Sequence, residues 1–122
     1  MRMDRDARGG GPIVAGFGPS GFRVGETYFP ALLLTVDDAS VWTPPALAML
    51  DAAALQSLIA AAPEFILLGT GATLHRPPAE LVRALAAADI GIEPMDSRAA
   101  ARAWGELRGE GRQVAAALYP LA

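Results

Sequence analysis

The chain contains no cysteine, which excludes disulfides, cysteine-ligated zinc, iron–sulfur clusters and thiol nucleophiles. It has one histidine, His75, so a His-rich metal site and any mechanism needing two imidazoles are excluded too. Lysine is absent. All 10 basic residues are arginine, against 13 acidic ones, and the net charge of −3 argues against a general nucleic-acid binder. No run of ~18 uncharged apolar residues occurs, so no stable membrane insertion is expected. Residues 1–11 lack the apolar core of a secretory signal, and their aspartates make a poor transit peptide. The expected location is the cytoplasm.

What is present fits one domain. The 122 residues suffice for a single real core and not for two. About a fifth of them are alanine, which inflates the hydrophobic fraction of 52%. The charged fraction of 19% is low for a disordered chain. Residues 1–11 alternate arginine with aspartate and end in three glycines, a composition that reads as a flexible tail. Residues 12–122 show no internal repeat and read as one α/β domain.

The first half is patterned for strands. Ile13–Phe17 precedes a Gly18-Pro19-Ser20-Gly21 turn. Phe22–Val24 and Thr27–Phe29 flank Gly25-Glu26, a hairpin turn with glycine where φ > 0 is needed. Ala31–Val36 is a further strand, and Ser40–Trp42 returns after Asp37-Asp38. The second half alternates helices with strands. Asp51 caps a helix with Leu55, Leu58, Ile59 and Ala62 at helical spacing, stopped by Pro63. Phe65–Leu68 is a short apolar run, as buried central strands are. Pro77-Pro78 opens a second helix, with Leu81, Val82, Leu85 and Ala88 on one face. Ile90–Met95 is a strand. Asp96 or Ser97 caps a third helix, with Ala100, Ala103, Trp104 and Leu107 inward, and Val114–Tyr119 is the last strand. The expected architecture is a three-layer α/β domain. It has a central mixed sheet, an N-terminal hairpin that makes the sheet mixed, and covering helices. Leu67, Leu68, Ile92, Val114 and Leu118 are its expected core.

Two segments could carry a ligand. Gly69-Thr70-Gly71 leaves a buried strand and could aim backbone N–H groups at an anion. It lacks the third glycine or the Gly-Lys-Ser/Thr of nucleotide loops, and glycines also serve as a tight exit from a sheet. Asp96-Ser97-Arg98 lies where a strand meets a helix. Capping alone accounts for the first two residues, whereas Arg98 could hold an anion or a partner carboxylate. If the two strands are adjacent and parallel, both segments share one rim at their carboxyl ends, where open α/β sheets bind ligands. His75 has no evident serine or carboxylate companion, Asp37-Asp38 reads as a turn rather than a metal site, and Trp42 and Trp104 read as packing anchors. No catalytic residue, metal ligand or cofactor site is assigned.

Three stretches taken together resemble a known family: Phe65-Ile66-Leu67-Leu68-Gly69-Thr70-Gly71, Gly91 through Ala100, and Glu110 through Leu118. Gly25-Glu26-Thr27-Tyr28 and Val41-Trp42 fit as well. The family is that of the mitochondrial respiratory complex I assembly factor 3 and the adipogenesis-associated protein sharing its domain, with many single-domain bacterial members. The resemblance spans residues 12–122. It implies a three-layer α/β domain, no established catalytic residues, and action through protein contacts. Many relatives have Thr at Ser97, Cys at Ala101 and Asn at Gly105, so a mechanism built on that thiol or amide cannot operate here. The expected role is a non-enzymatic interaction or assembly module of a bacterial host, with a protein partner. The alternative is a protein or enzyme that takes a small anion on the rim of Gly69–Gly71 and Asp96–Arg98.

Overall fold

A computed structural model describes residues 10–122. The expected flexible tail therefore lies outside the described residues, save for its last two. Eight strands and three α-helices follow: β1 (Val14–Gly18), β2 (Gly21–Val24), β3 (Thr27–Phe29), β4 (Leu32–Leu34), β5 (Ala39–Val41), α1 (Gln56–Ala60), β6 (Phe65–Gly69), α2 (Ala79–Ala87), β7 (Gly91–Met95), α3 (Ser97–Gly109) and β8 (Ala115–Leu118).

The strands form two sheets. A five-stranded mixed sheet has the order β5-β4-β8-β6-β7. In it β6 runs parallel to both β7 and β8, while β4 runs antiparallel to β8 and β5. The leading strands make a separate three-stranded antiparallel sheet, β1-β2-β3. The N-terminal hairpin thus packs over the central sheet instead of extending it, and the mixed character comes from β4 and β5. The chain reverses at Gly25-Glu26, where Gly25 takes φ +61° as the hairpin requires.

Each face of the central sheet carries its own core. Leu33, Ile66 and Leu68 meet Leu55, Leu58, Leu81 and Leu85 on the α1–α2 side. Leu32, Leu34, Leu67, Ala116 and Leu118 meet Phe22, Ala100, Ala101 and Trp104 on the side of α3 and the small sheet. A strand covered on both faces must be apolar throughout, which is why β4 and β8 are buried at every residue. Of the expected core residues, only Ile92 is half-buried, because β7 is an edge strand.

Local differences have local causes. The strand at Ala31–Val36 shrinks to three residues, because Thr35 accepts the amides of Asp37 and Asp38 through its hydroxyl and breaks the ladder. The helix after Asp51 starts as a 3₁₀ turn, Ala52–Leu55, before α1; the Asp51 carboxylate accepts the Ala54 amide at 3.0 Å. Ala62 lies just beyond the C-cap Ala61 with φ +53°, the left-handed turn on which helices commonly end, and its amide donates to the Ile59 carbonyl at 2.9 Å. A further 3₁₀ turn, Leu47–Met49, has no signal in the sequence pattern.

Candidate functional site

The chain winds both ways from β6. One crossover, through α2, leads to β7 on one side; the next, through α3, returns past β6 to β8. α2 and α3 cover opposite faces, so the carboxyl ends of β6, β7 and β8 frame the crevice in which doubly wound folds hold ligands. The Gly69–Gly71 and Asp96–Arg98 segments meet there, in parallel register: Gly69 stands opposite Met95 on one side and Leu118 on the other.

The crevice is fastened by its own residues. The Thr70 amide donates to the Met95 carbonyl at 2.9 Å, and the Ser97 amide to the Gly71 carbonyl at 2.8 Å. The Ser97 hydroxyl is fully buried; it accepts the Gly71 amide at 2.8 Å and donates to the Tyr119 carbonyl at 2.8 Å. The Tyr119 amide in turn donates to the Gly69 carbonyl at 2.9 Å. One hydroxyl therefore ties together the ends of all three parallel strands. A methyl group on Gly69 would lie 2.8 Å from Ser97 Oγ and 2.9 Å from Ser97 Cα, so only glycine admits the start of α3 this close to the sheet. The Thr70 hydroxyl donates to the carbonyls of Thr73 in its own loop (2.7 Å) and of Met95 at the end of β7 (3.2 Å), and accepts the His75 amide at 3.0 Å. The His75 ring reaches the Thr73 hydroxyl at 3.1 Å in an exposed setting.

The Asp96 carboxylate caps α3 by accepting the Ala99 amide at 3.0 Å. Arg98 points elsewhere. Its guanidinium lies 4.9 Å from the centre of the Phe17 ring, and it borders an open cleft of about 490 Å³ together with Pro19, Ser20, Gly21, Pro30 and Pro120. Arg98 makes no ion pair with any described carboxylate. Among the described residues, no group of three or more His, Cys, Asp or Glu side chains is placed to hold a metal, and no helix is long and apolar enough to cross a membrane.

These placements separate capping from recognition. Asp96→Ala should cost roughly 0.5–2 kcal/mol, because the first turn of α3 loses its acceptor. Arg98→Ala should cost no more than about 1 kcal/mol, the contribution of an exposed cation–π contact. Chemical denaturation of both variants checks this; equal and large losses would make Arg98 a brace of the scaffold.

Beside the crevice, Tyr119 donates its hydroxyl to the Pro45 carbonyl at 2.8 Å and packs edge-on against Trp42, with ring centres 5.1 Å apart. Burial pushes its phenol up to about 12 from 10.0. The folded pKa lies above the unfolded one, so this contribution is whole below pH 10 and disappears as pH rises through 12. Stability should therefore fall across that alkaline window, and Tyr119→Phe should flatten the fall. An unchanged alkaline profile in Tyr119→Phe would count against a phenol held back by its half-buried setting.

The fold and the fastened crevice define a small α/β domain of mixed sheet and three layers. Residues 14–119 match the family described as protein of unknown function (DUF498/DUF598), and the chain belongs to that family. An uncharacterised protein of Rhodobacter capsulatus is 37% identical over 109 residues, covering 88% of this chain and 84% of that one. The crystal structure of a Bordetella parapertussis protein superposes with a TM-score of 0.82 at 35% identity, over 91% of this chain and 97% of the other. The solution structure of a Bordetella pertussis protein, described as a Mth938-like domain, gives a TM-score of 0.78 at 29% identity, over 98% and 92%.

Proposed function

We propose that this chain is a non-enzymatic interaction domain that helps a bacterial protein complex assemble, the role that its resemblance to the complex I assembly factor implies. The observation that carries this reading is the fastened crevice. Of the amides at the rim, those of Thr70, Gly71, Ser97 and Ala99 all have partners inside the domain. A catalytic site at this position needs donors aimed at a reacting group. The Ser97 hydroxyl, the nearest candidate nucleophile, is fully buried and contacts only backbone. His75 adds no base to it, since its ring pairs with Thr73.

The test is mild capture of partners from a bacterial host with the intact protein. Parallel captures use variants carrying aspartate at Val41, Met49 or Leu74, the large apolar side chains that stand most exposed. A protein that recurs with the wild type and is lost in one of these variants supports the reading. Failure of any protein to recur, or recurrence indifferent to all three changes, counts against it.

One observation favours a second reading, a small anion bound beside the rim. Arg98 is exposed, has no carboxylate partner among the described residues, and borders the cleft at Ser20 and Gly21. Under this reading Arg98→Ala abolishes anion binding while leaving the fold intact.

A further inference from the structure

Arg108 sits in the last turn of α3, the far end of that helix from the crevice, roughly 15 Å along its axis. It is only 6% exposed. Nη1 donates to the Arg112 carbonyl at 2.6 Å and Nη2 to the Gly10 carbonyl at 3.3 Å, while Nε has no partner. A guanidinium offers five N–H groups, so two carbonyls leave it under-used. No carboxylate among the described residues pairs with it. A buried charge normally has an opposite charge or a full set of hydrogen bonds.

The same side chain borders an open cleft of about 360 Å³, shared with Gly10, Gly11, Asp37, Gly111 and Gln113. This lining is mostly backbone and polar side chain, with Arg108 as its cation. Two features oppose an anion there: the carbonyl end of α3 and the Asp37 carboxylate. Asp37 lines the cleft, is exposed, and has no side-chain hydrogen bond among the described residues, so no partner offsets its charge there.

We propose that the Arg108 cleft is a binding site for a small oxyanion, a carboxylate or a phosphate group. The guanidinium supplies the charge, and the second N–H of Nη1 and of Nη2, beyond the carbonyls they already reach, are its donors for either group; Nε is sealed from solvent. Asp37 limits the affinity, and this fixes the sign of each variant's effect. Asp37→Asn should tighten binding about 3- to 10-fold by removing a like charge. Gln113→Glu should weaken it by about 10-fold or more, since a tethered carboxylate competes for the guanidinium. Arg108→Gln should abolish it.

The experiment titrates the full-length protein with sodium phosphate and, separately, sodium acetate. Sodium chloride at matched ionic strength is the reference. Backbone amide resonances report the place, and thermal unfolding reports the coupling to stability. The expected result is a saturable shift at residues 10–11, 37 and 111–113, stronger in Asp37→Asn, weaker in Gln113→Glu and absent in Arg108→Gln. Phosphate alone acting marks a phosphate site, acetate alone a carboxylate site, and both together the shared oxyanion chemistry. Should Arg108→Gln fail to fold, the Asp37→Asn and Gln113→Glu pair decides. Equal responses in those two variants and the wild type overturn the proposal. So do shifts confined to residues 18–21 and 98, or no site-resolved shift in either salt. The interaction reading above is tested separately, by the captures with the Val41, Met49 and Leu74 variants, whereas shifts confined to residues 18–21 and 98 would favour the anion reading at Arg98.

Discussion

Trp104→Ala is expected to lower unfolding stability by about 3–5 kcal/mol, the usual range for emptying an aromatic core site. That is a large share of the ~5–15 kcal/mol that holds a domain together. Trp104 is fully buried and shares its core with Phe22 and Leu67. It therefore stands between α3, the central sheet and the small β1-β2-β3 sheet, and its loss opens a void where three layers meet. Its indole also donates to the Pro12 carbonyl at 2.9 Å, which fastens the entry to β1. Trp104→Phe separates the two roles. It keeps most of the apolar contact but leaves the Pro12 carbonyl without its donor, at an expected cost of about 1–3 kcal/mol. Urea midpoints for the two variants check the order. A loss below ~1 kcal/mol for Trp104→Ala would mean that the small sheet does not depend on this contact.

The sequence pattern gives Trp104 away because α3 is amphipathic at its own period, with Ala100, Ala103, Trp104 and Leu107 at helical spacing. The same holds for β6, where the short apolar run Phe65–Leu68 reads as a strand covered on both sides. Placement of the N-terminal strands is less legible. A hairpin with alternating apolar residues fits equally well on the edge of a sheet or above it. The choice rests on which faces Phe22 and Val24 find, a tertiary matter. Arg108 is the other surprise. An arginine in a last helical turn reads as a solvated charge beside the helix carbonyls. Its burial follows from Gly10 and the loop after α3 closing over it, which no local pattern encodes.

The crevice was half legible. Two short parallel strands ending in Gly-Thr-Gly and Asp-Ser-Arg predict one shared rim, and the register puts them side by side. The sequence does not reveal which donors remain open. Asp96 and Ser97 both read as caps of α3, and Asp96 takes that role. The serine hydroxyl is thereby released to bridge Gly71 and Tyr119, whose positions depend on β8 entering between β4 and β6.

Leu67→Ala is expected to cost about 2–5 kcal/mol, toward the upper end of that range, and more than Leu68→Ala. Both side chains are buried in β6, on opposite faces. The cost of such a truncation depends on how far the surroundings can collapse into the void. Leu67 belongs to the core of Phe22, Leu32, Leu34, Trp104 and Leu118, to which the covering helix α3 contributes, besides Trp104, only Ala100 and Ala101, short side chains with no rotamers with which to refill the space. Leu68 belongs to the core of Leu33, Leu55, Leu58, Leu81 and Leu85, whose longer side chains can turn into a gap. α3 also has little freedom to move inward, because the Ser97 hydroxyl at its start and Trp104 in its middle are both tied to backbone. Denaturation midpoints of the two variants under identical conditions test the order. If Leu68→Ala is the more damaging, the alanine-rich face closes up by shifting α3, and the Ser97 bridge is weaker than its geometry implies. If Leu67→Ala costs less than ~0.5 kcal/mol, β6 is not the central strand on which both cores rest.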